Sequence, residues 1–140
     1  MQEANVETSE LYTLQLPSKP ESITLLENLI EQIADKHHVS EDTFANMMTC
    51  LNEVAINAIV HGNKLDENKK VIVNAEVDGK RVIWTITDEG PGFDYDHLPD
   101  PTAEENLESL TGRGVFIVKQ LADQCIFNAT GNEVELHFKI

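Results

Sequence analysis

At 140 residues, with 41% hydrophobic and 25% charged side chains, the chain has the composition of one soluble globular domain around a single core. Its 25 acidic residues against 10 basic ones give a net charge of −15, which repels phosphate backbones and argues against direct nucleic-acid binding. No apolar run approaches the roughly 20 residues of a membrane span and no secretory signal pattern opens the chain, so a cytoplasmic protein without membrane contact is expected.

In chain order, residues 1–9 are polar and expected to be flexible. Tyr12, Leu14 and Leu16 alternate with Thr13 and Gln15, which predicts a first strand. Ser18 and Glu21 fit a capping box with Pro20 in the first turn, and Ile23, Leu26, Ile30 and Ile33 carry a helix to about Lys36. Ser40 caps a second helix predicted over residues 41–61, whose core stripe is Phe44, Met47, Leu51, Val54 and Ala58 and whose stop is Gly62. Lysines 64, 69 and 70 fall in a solvated loop.

Val71, Val73, Ala75 and Val77 then alternate with Ile72, Asn74 and Glu76 up to Asp78-Gly79, a favoured two-residue hairpin turn. The return strand holds Val82, Trp84 and Ile86; both its faces are fairly apolar, which predicts a central strand covered by helices. Gly112-Arg113-Gly114 opens a third helix, and two short strands around Ile126-Phe127 and Val134–Ile140 close the chain. The order β-α-α-β-β-loop-α-β-β predicts an α+β fold, a two-layer sandwich with a mixed, mostly antiparallel sheet and helices on one face. Cys50 and Cys125 lack metal-site spacing and are expected to be free thiols, and the glycosylation-like Asn128-Ala129-Thr130 is read as a chance match.

The chemistry concentrates in three places. Glu53, Asn57 and His61 recur at i, i+4 and i+8 on an otherwise apolar helix, so they form one polar stripe. Buried, such groups cost on the order of 1–3 kcal/mol each unless a partner satisfies them, and the partner is either neighbouring backbone or a ligand. Asp88 ends a strand and is followed by Gly90 and Gly92, where a carboxylate can accept from an exocyclic amine while the backbone comes close to a ligand. Gly112 and Gly114 flank Arg113 at a helix start, where free N–H groups and a guanidinium suit phosphate. Asn57 offers a neutral oxygen to a hard cation such as Mg²⁺, and Glu53 can act as a general base.

Taken together, Glu-x-x-x-Asn…His-Gly, Asp-x-Gly-x-Gly-Phe and Gly-x-Gly resemble the motifs of the GHKL ATPases, which share the Bergerat fold. The short single-domain form is most similar to the anti-sigma-factor serine/threonine kinases of bacterial partner-switching systems, over about residues 10–140. The resemblance implies ATP and Mg²⁺ as cofactors, Asn57 as the magnesium ligand, Glu53 as the general base and Asp88 as the adenine reader above Gly90 and Gly92. Residues 93–111 would form the ATP lid, with Gly112, Arg113 and Gly114 at its phosphate end and Thr111 and Val115 beside them as cofactor-binding residues. The implied substrate is a small antagonist protein of the anti-anti-sigma type, phosphorylated on Ser or Thr, and the implied client is a sigma factor or another regulator. A homodimer is a further implied state.

Two departures stand out: Ile56 replaces the small hydroxyl residue common before the magnesium asparagine, and residues 94–108 carry six Asp or Glu. They motivate an alternative, a non-enzymatic module that binds ATP to set its affinity for a partner. A sensor histidine-kinase catalytic domain is a third reading. It needs a phosphoacceptor such as His37 or His38, which are expected instead to be solvent-exposed.

Overall fold

The computed structural model describes residues 9–91 and 110–140, with the backbone alone for 110–113. Strand β1 (Glu10–Pro17) leads through a 3-10 turn (Pro20–Ser22) to helices α1 (Ile23–Lys36) and α2 (Glu41–Asn57). A π-helical turn (Ala58–Gly62) follows α2 directly. The chain then makes β2 (Lys70–Val77), β3 (Arg81–Thr87), α3 (Leu110–Leu121), β4 (Gln124–Phe127) and β5 (Glu133–Lys139). The α+β element order is the one expected. The sheet order is β1-β2-β3-β5-β4, and among the described residues every pairing is antiparallel, so the expected mixed pairing is replaced by a wholly antiparallel one.

Strand alternation decides which face is buried. Leu16, Val71, Val73, Val82, Trp84, Ile86, Leu136 and Phe138 point to the helix side and are buried. They meet Leu26, Ile30, Ile33, Met47 and Leu51 from α1 and α2 in one core, where the Trp84 indole N–H donates to the Met47 sulfur at 3.4 Å. The opposite face carries Thr13, Asn74, Glu76 and Thr85. Strand β3 is therefore central in the sheet but covered on one face only, with Ile83 half-buried on the other. Among the described residues, no helix is long and apolar enough to cross a membrane.

Several local expectations change. Ser40 does cap α2, accepting from the Thr43 N–H at 3.2 Å. Ser18 does not cap α1. It is buried and donates to the Lys69 carbonyl at 2.6 Å, because α1 is entered through the 3-10 turn and needs no hydroxyl at that place. Regular α geometry stops at Asn57, and the Asn63 N–H bonds the Ala58 carbonyl at 2.8 Å, five residues back. Gly62 is not the left-handed stop. That conformation falls to Lys64 (φ 54°) and Leu65 (φ 61°).

The hairpin connection has three residues, with Gly79 at φ 89° and the Asp78 carboxylate accepting from the N–H groups of Lys80 and Arg81 at 2.9 and 3.0 Å. His37 is half-buried rather than exposed, since its Nε2 meets the Tyr12 hydroxyl at 3.0 Å and ties the end of α1 to β1; His38 is exposed. Both cysteines are free, and burial pushes the Cys50 thiol up to about 12 and raises that of Cys125. The proposed flexible start falls outside the described residues up to residue 8.

Candidate functional site

Helix α2 carries Glu53 and Asn57 one turn apart, both half-buried. Beyond Asn57 the π-turn widens the helix by a residue, so His61 leaves the strict i+4 stripe. It is exposed but still lines the mouth of a cleft. That cleft, about 690 Å³ counting the part open to solvent, lies between the end of α2, helix α3 and the β3–β5 end of the sheet. Its walls are mostly apolar, from Val54, Ala58, Ile86, Val115, Val118 and Val134. The polar groups turned to it come from Asn57, His61, Asp88, Asn132 and Glu133. An apolar slot with a few fixed polar groups is the ordinary form of a small-molecule site.

Asp88 enters this slot where β3 ends. Its backbone is fixed from both sides: its N–H donates to the Asn132 carbonyl at 2.9 Å, and the Asn132 amide donates to its carbonyl at 3.2 Å. Its carboxylate accepts from the Gly90 N–H at 2.7 Å. Burial among apolar walls raises the Asp88 pKa above the usual carboxylate range, and the Gly90 bond partly offsets this. A half-buried carboxylate that lines the cleft and accepts from one backbone N–H keeps further acceptor capacity for a ligand's donor.

Asn63, 1% exposed, braces this end. Its amide donates to Ser18 Oγ at 2.9 Å and to the Lys70 carbonyl at 3.1 Å, and its oxygen accepts from the Glu89 N–H at 2.7 Å. One side chain thus joins the ends of β1 and β3 to the start of β2. The Glu89 carboxylate adds a bond from the Lys70 N–H at 2.6 Å.

At the other end, Glu53 does not itself line the cleft. It packs on Gly114 in the first turns of α3; a Cβ on Gly114 would stand 2.5 Å from Glu53 Oε2 and 2.6 Å from its Cγ. Gly114 and Val115 do line the cleft, so Glu53 sits just behind its edge. Ile56, the departure from the usual pattern, is half-buried and is not among the lining residues. Among the described residues no cluster of three or more His, Cys, Asp or Glu forms.

The structure therefore brings Asn57, Asp88, Gly114 and Val115 to one cleft, with Glu53 and Gly90 in contact with its walls. Thr111, Gly112 and Arg113 lie in the first turns of α3, which begins at Leu110, two residues before the expected start. Gly92 and residues 93–109 of the expected lid, with their acidic side chains, fall outside the described residues.

A family model for the histidine kinase-like ATPase domain matches residues 16–138, nearly the whole chain. The chain belongs to that family. Within it, the chain is 24% identical over 119 residues to the serine-protein kinase RsbW of Bacillus subtilis (strain 168), covering 79% of this chain and 73% of the relative. It is 25% identical over 124 residues to the serine-protein kinase RsbW of Staphylococcus epidermidis, with 84% and 78% covered. The protein of that name from Listeria innocua is 25% identical over 117 residues, with 79% and 74% covered.

For a histidine kinase-like ATPase domain, the sequence motifs name the acids and the glycines but not what holds them. Asn63 stands next to the His-Gly pair and reads as loop, because only the fold shows that it is buried. Asn132 and Gly131 read as a turn and also line the cleft. The glycosylation-like Asn128 donates its amide to Asn132 Oδ1 at 2.8 Å, so it is a brace of that turn. Gly62 reads as a helix stop, and its contact with Asp88 has no sequence signature.

Proposed function

We propose that the chain is an ATP-dependent serine/threonine protein kinase acting on a small antagonist protein in a partner-switching circuit, with a sigma factor or another regulator as client. The observation that carries this reading is the cleft that holds Asp88 and Asn57, with Glu53 against Gly114 at its edge. The named relatives support it: each is a serine-protein kinase aligned over more than two thirds of both chains.

The residues fit ATP with Mg²⁺. The apolar walls suit a purine face, Asp88 can accept from its exocyclic amine, and Asn57 would offer one neutral oxygen to the Mg²⁺. When bound, the nucleotide and its ion supply the phosphoryl group and neutralise charge developing on it. The chain's own part is positioning and proton transfer. Asp88 and Gly90 orient the base, α3 closes one wall through Val115 and Val118, and Glu53 accepts the proton of the attacking hydroxyl.

The test is incubation of the protein with Mg-ATP and the candidate antagonist, with Glu53→Gln as control. Phosphate should pass to a Ser or Thr of the antagonist, and the substitution should cut the rate by about 10²–10⁴-fold with nucleotide affinity retained. Transfer that survives in a folded Glu53→Gln protein overturns the assignment of the base. ATP binding that sets partner affinity without any transfer establishes the nucleotide-gated module instead.

A further inference from the structure

We propose that Gly62 is a positioning residue for Asp88, and through it a determinant of which purine the cleft accepts. The second half rests on the ATP reading above; the first half does not.

Gly62 has no conformational need to be glycine. Its φ is not left-handed, and the left-handed residues after α2 are Lys64 and Leu65. Its need is steric. A Cβ at this position would lie 2.5 Å from both Cγ and Oδ2 of Asp88 and 2.7 Å from Oδ1, closer than real Cβ atoms come to anything. All three of its nearest contacts are in one carboxyl group, so the α-carbon of Gly62 is the seat on which that group rests.

Asp88 has little room to yield. Its Cγ is one bond from Cβ, its backbone is bonded to Asn132 on both sides, and its Oδ1 accepts from the Gly90 N–H at 2.7 Å. Gly90 packs on the same place: a Cβ there would overlap the Gly62 carbonyl, so the two backbones already lie in close contact. A methyl on residue 62 therefore turns the carboxylate about its Cα–Cβ bond and breaks the Gly90 bond, or pushes the two segments apart. The π-turn is what presents this glycine: the Asn63 N–H reaches back five residues to Ala58, and Gly62 is the last residue of the widened turn. Such turns recur at functional sites because they re-aim a helix end without breaking it. Here the re-aimed atom is an α-carbon, and what it sets is the direction of one acceptor. The direction matters because a carboxylate facing the base edge accepts from an amino group and repels a carbonyl oxygen, the group that distinguishes guanine from adenine at that place.

Two measurements decide this. The first needs no ligand. Gly62→Ala should lower the melting temperature of the otherwise unchanged protein, whereas in an Asp88→Ala background, where the colliding atoms are gone, it should raise or leave it, as alanine ordinarily does in a helical turn. The same fall in both backgrounds means that Gly62 serves something other than Asp88 and overturns the proposal. The second is the ratio of ATP to GTP affinity by calorimetry. Folded Gly62→Ala should lose at least tenfold of the wild-type preference for ATP; an unchanged ratio overturns the role in base selection. Wild-type protein that binds neither nucleotide defeats the ATP reading itself, while the melting cycle still decides whether Gly62 positions Asp88.

Discussion

The Asp88 end of the cleft is tied down by hydrogen bonds on several sides, whereas at the Glu53 end steric contact predominates. Around Asp88, the side chains of Asn63, Asn132 and Glu89 and the N–H of Gly90 fix both backbone and carboxylate. At the other end, the Glu53 and Asn57 side chains have no hydrogen-bond partner among the described residues, and Glu53 rests on the bare α-carbon of Gly114. The contrast follows from the tasks proposed for the two ends. A base reader gains from being rigid, because an acceptor held in place spends no entropy on binding. A general base works on a hydroxyl that arrives with a second protein, and it has to adjust to that arrival.

The sharpest way to break this contrast is Gly114→Ala. The added methyl would sit 2.5–2.8 Å from the Glu53 carboxyl and Cγ, so Glu53 must turn away. Phosphate transfer should fall by about 10²-fold, the usual cost of displacing a catalytic group by an ångström, while the melting temperature changes little because a flexible side chain can yield. Single-turnover transfer and thermal melting, measured side by side, check both halves. A large loss of stability with transfer intact would show that the Glu53 end is as rigid as the other.

Asn63→Ala addresses the other end. It removes three hydrogen bonds and leaves the Lys70 carbonyl and the Glu89 N–H without their partner. Its expected cost is about 2–3 kcal/mol of folding stability, read by urea denaturation, with nucleotide affinity falling alongside. A change below about 0.5 kcal/mol would mean that water replaces the amide and that the Asp88 end is not braced as described.

How far the sequence reveals this molecule differs between the same two ends. The strands and helices were legible because their apolar spacing is strong, as in Val71, Val73 and Ala75 on β2 or Leu26, Ile30 and Ile33 on α1. Glu53, Asn57 and Asp88 were legible because acids and amides stand out on apolar elements. The π-turn was not, because its 58–62 segment continues the apolar helical pattern of α2, and the closeness of Gly62 to Asp88 has no sequence signature. Ser18 reads as a cap because its local pattern fits one, yet its partners are Lys69 and Asn63, 51 and 45 residues away. Long-range polar pairing leaves no periodic trace, so the braces of the site stay hidden while its acids do not.

The smallest effect comes from the charge of Asp88 itself. Burial raises its pKa in the folded protein, so the folded state holds the proton more tightly than the unfolded chain does. The stability this group contributes is fully present below the ordinary carboxylate range and is lost as pH rises through the raised value. Asp88→Asn cannot lose it. The melting temperature of the variant, relative to wild type, should therefore climb as pH rises through that window and level off at neutral pH. The Gly90 N–H keeps an acceptor in either protein, so the gain comes from removing a desolvated charge and not from a new bond. Melting curves for the two proteins that stay parallel from acid to neutral pH would mean that the carboxylate is solvated. The end of the cleft that is more tightly built would then also be the wetter one, and its rigidity would owe nothing to exclusion of water.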